Sequence, residues 1–122
     1  MLLIEYPKCS TCRKAKKWLD EHQIAYTDRH IVEENPTVEE LKAWQAASGL
    51  PVRKFFNTSG MLYKEMHLKE KLADMSEEEQ LQLLSTNGML VKRPLVVGED
   101  FVLTGFKEAE WKEKLGACVL EK

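Results

Sequence analysis

The sequence predicts a mixed α/β fold in the order β-α-β, a block of helices, then β-β-α, around a four-stranded mixed sheet. Three observations carry this. The apolar run Leu2 to Tyr6, a helical pattern and a second extended segment follow one another within about thirty residues, the span of a βαβ unit. Two capping boxes, Thr37 with Glu40 and Ser76 with Glu79, open helices in the middle of the chain. Leu95-Val96-Val97 and Phe101-Val102-Leu103 then flank Gly98-Glu99-Asp100, a hairpin signal.

Leu2 to Tyr6 ends at Pro7 and reads as a buried strand. Ser10 or Thr11 is expected to cap a helix reaching about His22, with Ala15, Trp18, Leu19 and His22 on its apolar face. Ile24 to His30 is extended and alternating. The Thr37 helix runs to about Ser48 with Leu41 and Trp44 on its stripe, and Gly49 ends it. Val52 to Phe56 is helical, Asn57-Thr58-Ser59-Gly60 a loop, and Met61 to Leu72 one or two short helices. The Ser76 helix carries Leu81, Leu83 and Leu84 and closes at Asn87-Gly88. After the hairpin a final helix spans Phe106 to Leu115, stopped by Gly116, with Ala117 to Lys122 a loose tail. This order describes a thioredoxin-like core, about 1–34 and 88–116, with a helical insertion of about 35–87 in one domain spanning 1–122.

Composition narrows the function classes. The 122 residues are 43% hydrophobic and 31% charged, as expected of a folded domain, and the formal charge is −2. That near-balance argues against direct nucleic-acid binding. No apolar run reaches the roughly 18 residues a bilayer requires, and Met1-Leu2-Leu3-Ile4-Glu5 has no basic leader, so no membrane association and a cytoplasmic location are expected.

Three cysteines are present: Cys9 and Cys12 in a C-x-x-C, and Cys118, read as a free thiol in the tail. The pair stands where a strand gives way to a helix. Unpaired backbone N–H groups at a helix N-terminus favour a thiolate, and Lys8, Arg13 and Lys16 add positive charge nearby. Within Cys9-Ser10-Thr11-Cys12, the spacing brings both side chains into one helical turn, where a disulfide is geometrically feasible. Cys9, nearer the N-terminus, is the expected nucleophile and Cys12 the resolving thiol. Half a zinc site and two inert buried thiols are the alternative readings. His22, His30, His67 and Cys118 offer no matching ligand pair, so no metal is expected. The cations around Lys14 and Lys17 read as a solvated helix face, and Trp18, Trp44 and Trp111 as core.

Tyr6-Pro7-Lys8-Cys9-Ser10-Thr11-Cys12-Arg13-Lys14-Ala15 resembles the active-site loop of the ArsC/Spx family, which joins glutaredoxin-dependent arsenate reductases to redox-sensing transcription regulators. The likeness continues through Gly49 to Gly60 and through Lys92-Arg93-Pro94-Leu95-Val96-Val97 to Gly105-Phe106, about residues 2–115. It implies a thioredoxin-like fold, Cys9 as the nucleophile, Arg93 and Arg53 as oxyanion-binding arginines, and a cis bond at Arg93–Pro94. Lys8, Ser10, Thr11, Arg13 and Pro94 would support the site. Two departures stand out. Single-cysteine arsenate reductases typically have serine where this chain has Cys12, and their third arginine finds Gly105-Phe106-Lys107, which counts against arsenate as the substrate. The resemblance implies no cofactor beyond a thiol reductant: the thioredoxin system, or glutathione with glutaredoxin. A regulator resembling Spx would instead bind the C-terminal domain of the RNA polymerase α subunit. The polar loop Asn57-Thr58-Ser59-Gly60 is a further candidate border of the site.

Overall fold

The computed structural model describes residues 1–99 and 101–120, with side chains described up to 115. The elements follow the expected order. Strand β1 (Leu2–Glu5) leads into α1 (Ser10–Glu21) and β2 (Thr27–His30), followed by α2 (Val38–Ser48), α3 (Met61–Glu65), α4 (Leu68–Lys71) and α5 (Glu77–Thr86). The hairpin strands β3 (Leu95–Val97) and β4 (Val102–Thr104) precede α6 (Glu108–Leu120). Short 3-10 turns at Val52–Phe55, Leu72–Asp74 and Gly88–Leu90 join the middle helices. The sheet runs β2-β1-β3-β4, with β1 parallel to β2 and antiparallel to β3. The hairpin supplies the second antiparallel pairing, so the sheet is mixed.

Side chains alternating along each strand build two cores. Leu3, Val96 and Leu103, aligned across β1, β3 and β4, pack with Ala15, Trp18 and Leu19 of α1 and Trp111 and Leu115 of α6. Ile4, Leu95 and Val102 face the other way, onto Leu41, Trp44, Phe55, Phe56, Leu81 and Leu84 of the inserted block. The sheet is thus a partition, with two helices on one face and the insertion on the other.

Both capping boxes form, from Thr37 to Glu40 and from Ser76 to Glu79, with reciprocal side-chain and backbone bonds. Gly49 closes α2 in the left-handed region. The last helix starts at Glu108 and the second hairpin strand at Val102, one or two residues later than expected, and three further boundaries differ. Neither Ser10 nor Thr11 caps α1: Cys9 holds the N-cap position, without a side-chain capping bond. The second strand starts at Thr27, because Gln23 takes a positive φ of 56° in the turn and only four residues pair with β1. Helix α6 does not stop at Gly116 but continues to Leu120, since a glycine weakens a helix without ending one whose register is already set. The side chain of Cys118 and the last two residues lie outside the described ones, as does Asp100 in the hairpin turn. No helix among the described residues is long and apolar enough to cross a membrane.

Candidate functional site

The site begins at the end of β1. The chain turns at Pro7-Lys8, Cys9 N donates to Tyr6 O at 2.9 Å, and α1 starts when Arg13 N donates to Cys9 O at 3.1 Å. This puts the Cys9 sulfur over the open first turn, half-buried, and Cys12 one turn in, fully buried. Burial alone works against the Cys9 thiolate. The amides of Cys12 and Thr11, the Cys12 thiol and the charge of Arg93 outweigh it and hold the Cys9 pKa below its ordinary value. Cys12 goes the other way. Burial first, with the sulfur of Cys9 and the charge of Glu5 added, pushes its thiol up to about 12 against the Tyr6 amide bond. The two sulfurs are in hydrogen-bond contact with no disulfide between them.

Cys9 opens into a cleft of about 720 Å³. Its walls come from the α1 start (Thr11), the loop from Asn57 to Leu62, the 3-10 turn around Met89, and the stretch Thr104 to Lys107 after the hairpin. Lys92, Arg93 and Lys107 bring three cations, and the described lining contains no carboxylate. In a chain of formal charge −2, this segregation makes the cleft a place for anionic groups.

Arg93 is held from several sides. Its Nη1 donates to Met89 O at 3.1 Å and its guanidinium lies 5.3 Å from the centroid of the Tyr6 ring. The Asn57 carboxamide is assigned with its oxygen toward Arg93, the orientation that pairs donors with acceptors. Oδ1 then accepts from Nη1 at 3.3 Å and Nη2 at 3.2 Å. The Arg93–Pro94 bond is cis, and buried Pro94 passes its carbonyl to Gly105 N at 2.8 Å. Gly105 has φ +73°, where a side chain is strained, and its carbonyl accepts from Trp111 Nε1 at 3.1 Å. The hairpin exit is thereby fixed against the residue that carries Arg93.

Of the residues expected in the site, Cys9, Thr11 and Arg93 line the cleft and Pro94 stands behind it. Lys8 and Ser10 are exposed outside it, and Arg13 points along the outer face of α1 beside Lys17 and Asp20. Arg53 does not reach the cleft. The 3-10 turn buries Val52 and Phe55, which turns Arg53 and Lys54 outward into a separate pocket with Thr58, Tyr63, Lys69 and Gln80. Four residues on, Asn57 occupies the position beside Arg93, as the polar-loop reading of 57–60 allowed. Lys92, Asn87 and Met89 were not foreseen. Lys92 directly precedes Arg93, and an Asn-Gly turn ending four residues before a cationic pair was the available signal. Among the described residues, no group of three or more His, Cys, Asp or Glu side chains converges as a metal site.

Residues 4–114 match the ArsC family. The chain is 58% identical to YusI of Bacillus subtilis over 108 residues, covering 88% of this chain and 92% of YusI. It is 33% identical to the regulatory protein MgsR of the same organism, over 86% of this chain and 82% of MgsR. Among solved structures, an ArsC family related protein from Bacteroides fragilis superposes with a TM-score of 0.89 at 67% identity, covering 92% of this chain and 96% of that one. With a thioredoxin-like sheet, a cysteine at the start of α1 and Arg93-Pro94 across the cleft, the chain belongs to the ArsC family.

Proposed function

We propose that the protein is a thiol–disulfide oxidoreductase in which Cys9 attacks and Cys12 resolves. The observation that carries this reading is the opposite treatment of two sulfurs one helical turn apart. Cys9 is half-open to the cleft and held toward its thiolate; Cys12 is sealed and held as a thiol. A nucleophile must be ionised and reachable, whereas a resolving thiol must stay protonated until its target is in place. In the cycle, the Cys9 thiolate attacks a disulfide R–S–S–R and releases one RS⁻. Cys12 then attacks Cys9 in the mixed disulfide, closing Cys9–Cys12 and releasing the second thiol. A dithiol donor of the thioredoxin or glutaredoxin type returns the pair to its reduced form.

The same cleft argues for a disulfide substrate over arsenate. Arg93 is the one arginine in the described lining, Asn57 already occupies its fork, and Gly105-Phe106-Lys107 offers a single flexible cation where a planar guanidinium would grip a tetrahedral oxyanion. Met61, Leu62, Met89 and Phe106 give the remaining wall an apolar character suited to a peptide or glutathione chain. The deciding experiment is a redox titration in thiol–disulfide buffers with peptide mapping of each cysteine. A Cys9–Cys12 couple between roughly −270 and −180 mV supports the reading. Cysteines that never pair overturn it.

A second reading is a redox-switched regulator resembling Spx, which the 33% identity to MgsR favours. It uses the same pair of sulfurs and differs in its output: binding the RNA polymerase α C-terminal domain. Specific, redox-dependent retention of that domain on the immobilised protein would select it, and turnover of disulfide substrates without retention would reject it.

A further inference from the structure

The redox cycle proposed above leaves one buried carboxyl unused. Along β1, Leu3 packs on the face covered by α1 and α6 while Ile4 packs on the insertion face, so alternation returns Glu5 to the α1 side. Glu5 is 2% exposed, its Oε1 lies 3.8 Å from Lys16 Nζ, and its Oε2 has no hydrogen-bond partner. Lys16 stands four residues after Cys12, on the same face of α1. Glu5 therefore lies beneath the turn that holds the resolving sulfur, and the amide of its chain neighbour Tyr6 donates to that sulfur. The Glu5 carboxyl also hydrogen-bonds the Asp28 carboxyl, and a bond between two carboxyls requires that one of them hold a proton.

Closure of the disulfide has a proton to move here. Cys12 is sealed from solvent, so its thiol cannot hand a proton directly to water. We propose that Glu5 is the proton acceptor of Cys12 during disulfide closure, and that Asp28 with Lys16 is its outlet to solvent. The inference rests on the Cys9–Cys12 cycle. Cys12 Sγ–H gives its proton to the Glu5 carboxylate, and the freed electron pair forms the bond to Cys9 Sγ. The bond from Cys9 to the substrate sulfur breaks, and RS⁻ leaves and takes a proton from water. Cys12 is oxidised and the substrate sulfur reduced. Glu5 then passes its proton to Asp28, which is 41% exposed and holds Lys16 Nζ at 2.8 Å.

The groups facing Glu5 are Cys12 and Lys16 from α1 and Asp28 and His30 from β2. Burial, then the Asp28 carboxyl, raises the Glu5 pKa above the ordinary carboxylate value, against Lys16 and His30. A carboxylate shifted in that direction is a stronger base toward a thiol.

The test uses the full chain with Cys118→Ser and dithiobis(nitrobenzoate), a chromogenic aromatic disulfide. The first thionitrobenzoate released reports attack by Cys9, and the second reports closure by Cys12. Glu5→Gln is expected to leave the first phase unchanged and to slow the second about a hundredfold at neutral pH. Closure in that variant should climb steadily with hydroxide, where the unmodified protein levels off once Glu5 is ionised. Glu5→Asp should recover part of the rate. Lys16→Met leaves the carboxyl in place but removes the cation that favours its ionised form, so the midpoint of the closure profile should move to higher pH. A Glu5→Gln variant closing at the unmodified rate and profile overturns the proposal, as does an unshifted midpoint in Lys16→Met. If the unmodified protein releases no second equivalent, the disulfide cycle itself has failed and this inference falls with it.

Discussion

The two sides of the first turn of α1 are opposite environments for the two sulfurs. Above it, Cys9 meets an open cleft with Lys92, Arg93 and Lys107 and no described carboxylate. Below it, Cys12 meets β1 in a dry layer where the near charge is Glu5, itself 2% exposed. Two residues separate the cysteines, yet the first-turn amides of Thr11 and Cys12 reach the sulfur of Cys9, whereas Cys12 takes the amide of Tyr6. Those amides, solvent access and the sign of the local charge decide between them. A C-x-x-C motif therefore specifies two thiols on one turn, and the sheet and cleft beneath and above it assign their roles.

The most severe way to break the comparison is to remove one sulfur at a time. Cys9→Ser should abolish attack on any disulfide substrate, since Cys12 is sealed. Cys12→Ser should keep attack and accumulate a mixed disulfide on Cys9, seen by intact-mass spectrometry. Recovery of only free thiols from Cys12→Ser would mean that Cys9 does not act alone. Cys12→Ala separates a second contribution. It removes the thiol that donates to Cys9, so the pH midpoint of Cys9 alkylation should rise in Cys12→Ala and much less in Cys12→Ser, whose hydroxyl can still donate.

Arg93→Met tests the charge above the turn. Arg93 is among the groups that hold Cys9 down against its burial, so removing it should raise the alkylation midpoint. At a fixed neutral pH this means a lower thiolate fraction and slower alkylation. The closure step, governed from below the turn, should change far less. Equal slowing of both phases would show that the two environments are coupled and not independent.

The framework of this comparison was legible in the sequence because it rests on local rules. The capping boxes, the glycine ending α2, the βαβ order and the hairpin each depend on a few adjacent residues, and Leu3 and Ile4 sort to two faces by the period of a strand. Cys9 as the reachable thiol followed from its place at a helix start. Arg53 lies outside the cleft because its direction is set by which side of a 3-10 turn the core claims. Val52 and Phe55 take the inside, and the cleft receives Asn57 instead. Glu5 was hidden inside an apolar run, where one charge reads as an edge of the strand. Its burial becomes visible only when α1 is laid across β1. The cap of α1 also depends on tertiary placement, since Ser10 and Thr11 satisfy the local rule better than Cys9, which holds the N-cap position without a capping bond.

A smaller effect is expected at the wall of the cleft. Gly105 has φ +73°, and an added Cβ would meet only Lys92 Cε at 3.2 Å, the movable end of a long side chain. The cost of Gly105→Ala is therefore mainly conformational, about 1–2 kcal/mol, read as a lower urea midpoint at unchanged m. Because the Pro94–Gly105–Trp111 links carry the wall, the Cys9 midpoint should shift less than in Arg93→Met, and closure by Cys12 should hold its rate.

The smallest effect separates two carboxyls that flank the same sheet edge. Arg29 of β2 grips Glu40 of α2 with two bonds, at 2.6 and 2.9 Å, and this first, with the Thr37 capping bonds, holds the Glu40 pKa down to about 2. A depressed carboxylate contributes stability that is complete above its unfolded value and is lost as pH falls through the folded one. For Glu40 that window runs from about 4.5 to about 2. The pair is partly open, with Glu40 35% exposed, so screening leaves about 1 kcal/mol. Glu5 carries the opposite sign. Its pKa is raised, so its contribution is complete below the ordinary carboxylate value and is lost as pH rises through the folded one. Stability should therefore peak at mildly acid pH. Urea midpoints across pH should show Glu40→Gln flattening the acid limb and Glu5→Gln flattening the limb toward neutrality. Loss of both limbs in either variant would mean that the β2 edge titrates as one unit, and that Glu5 does not answer to the buried side of α1 alone.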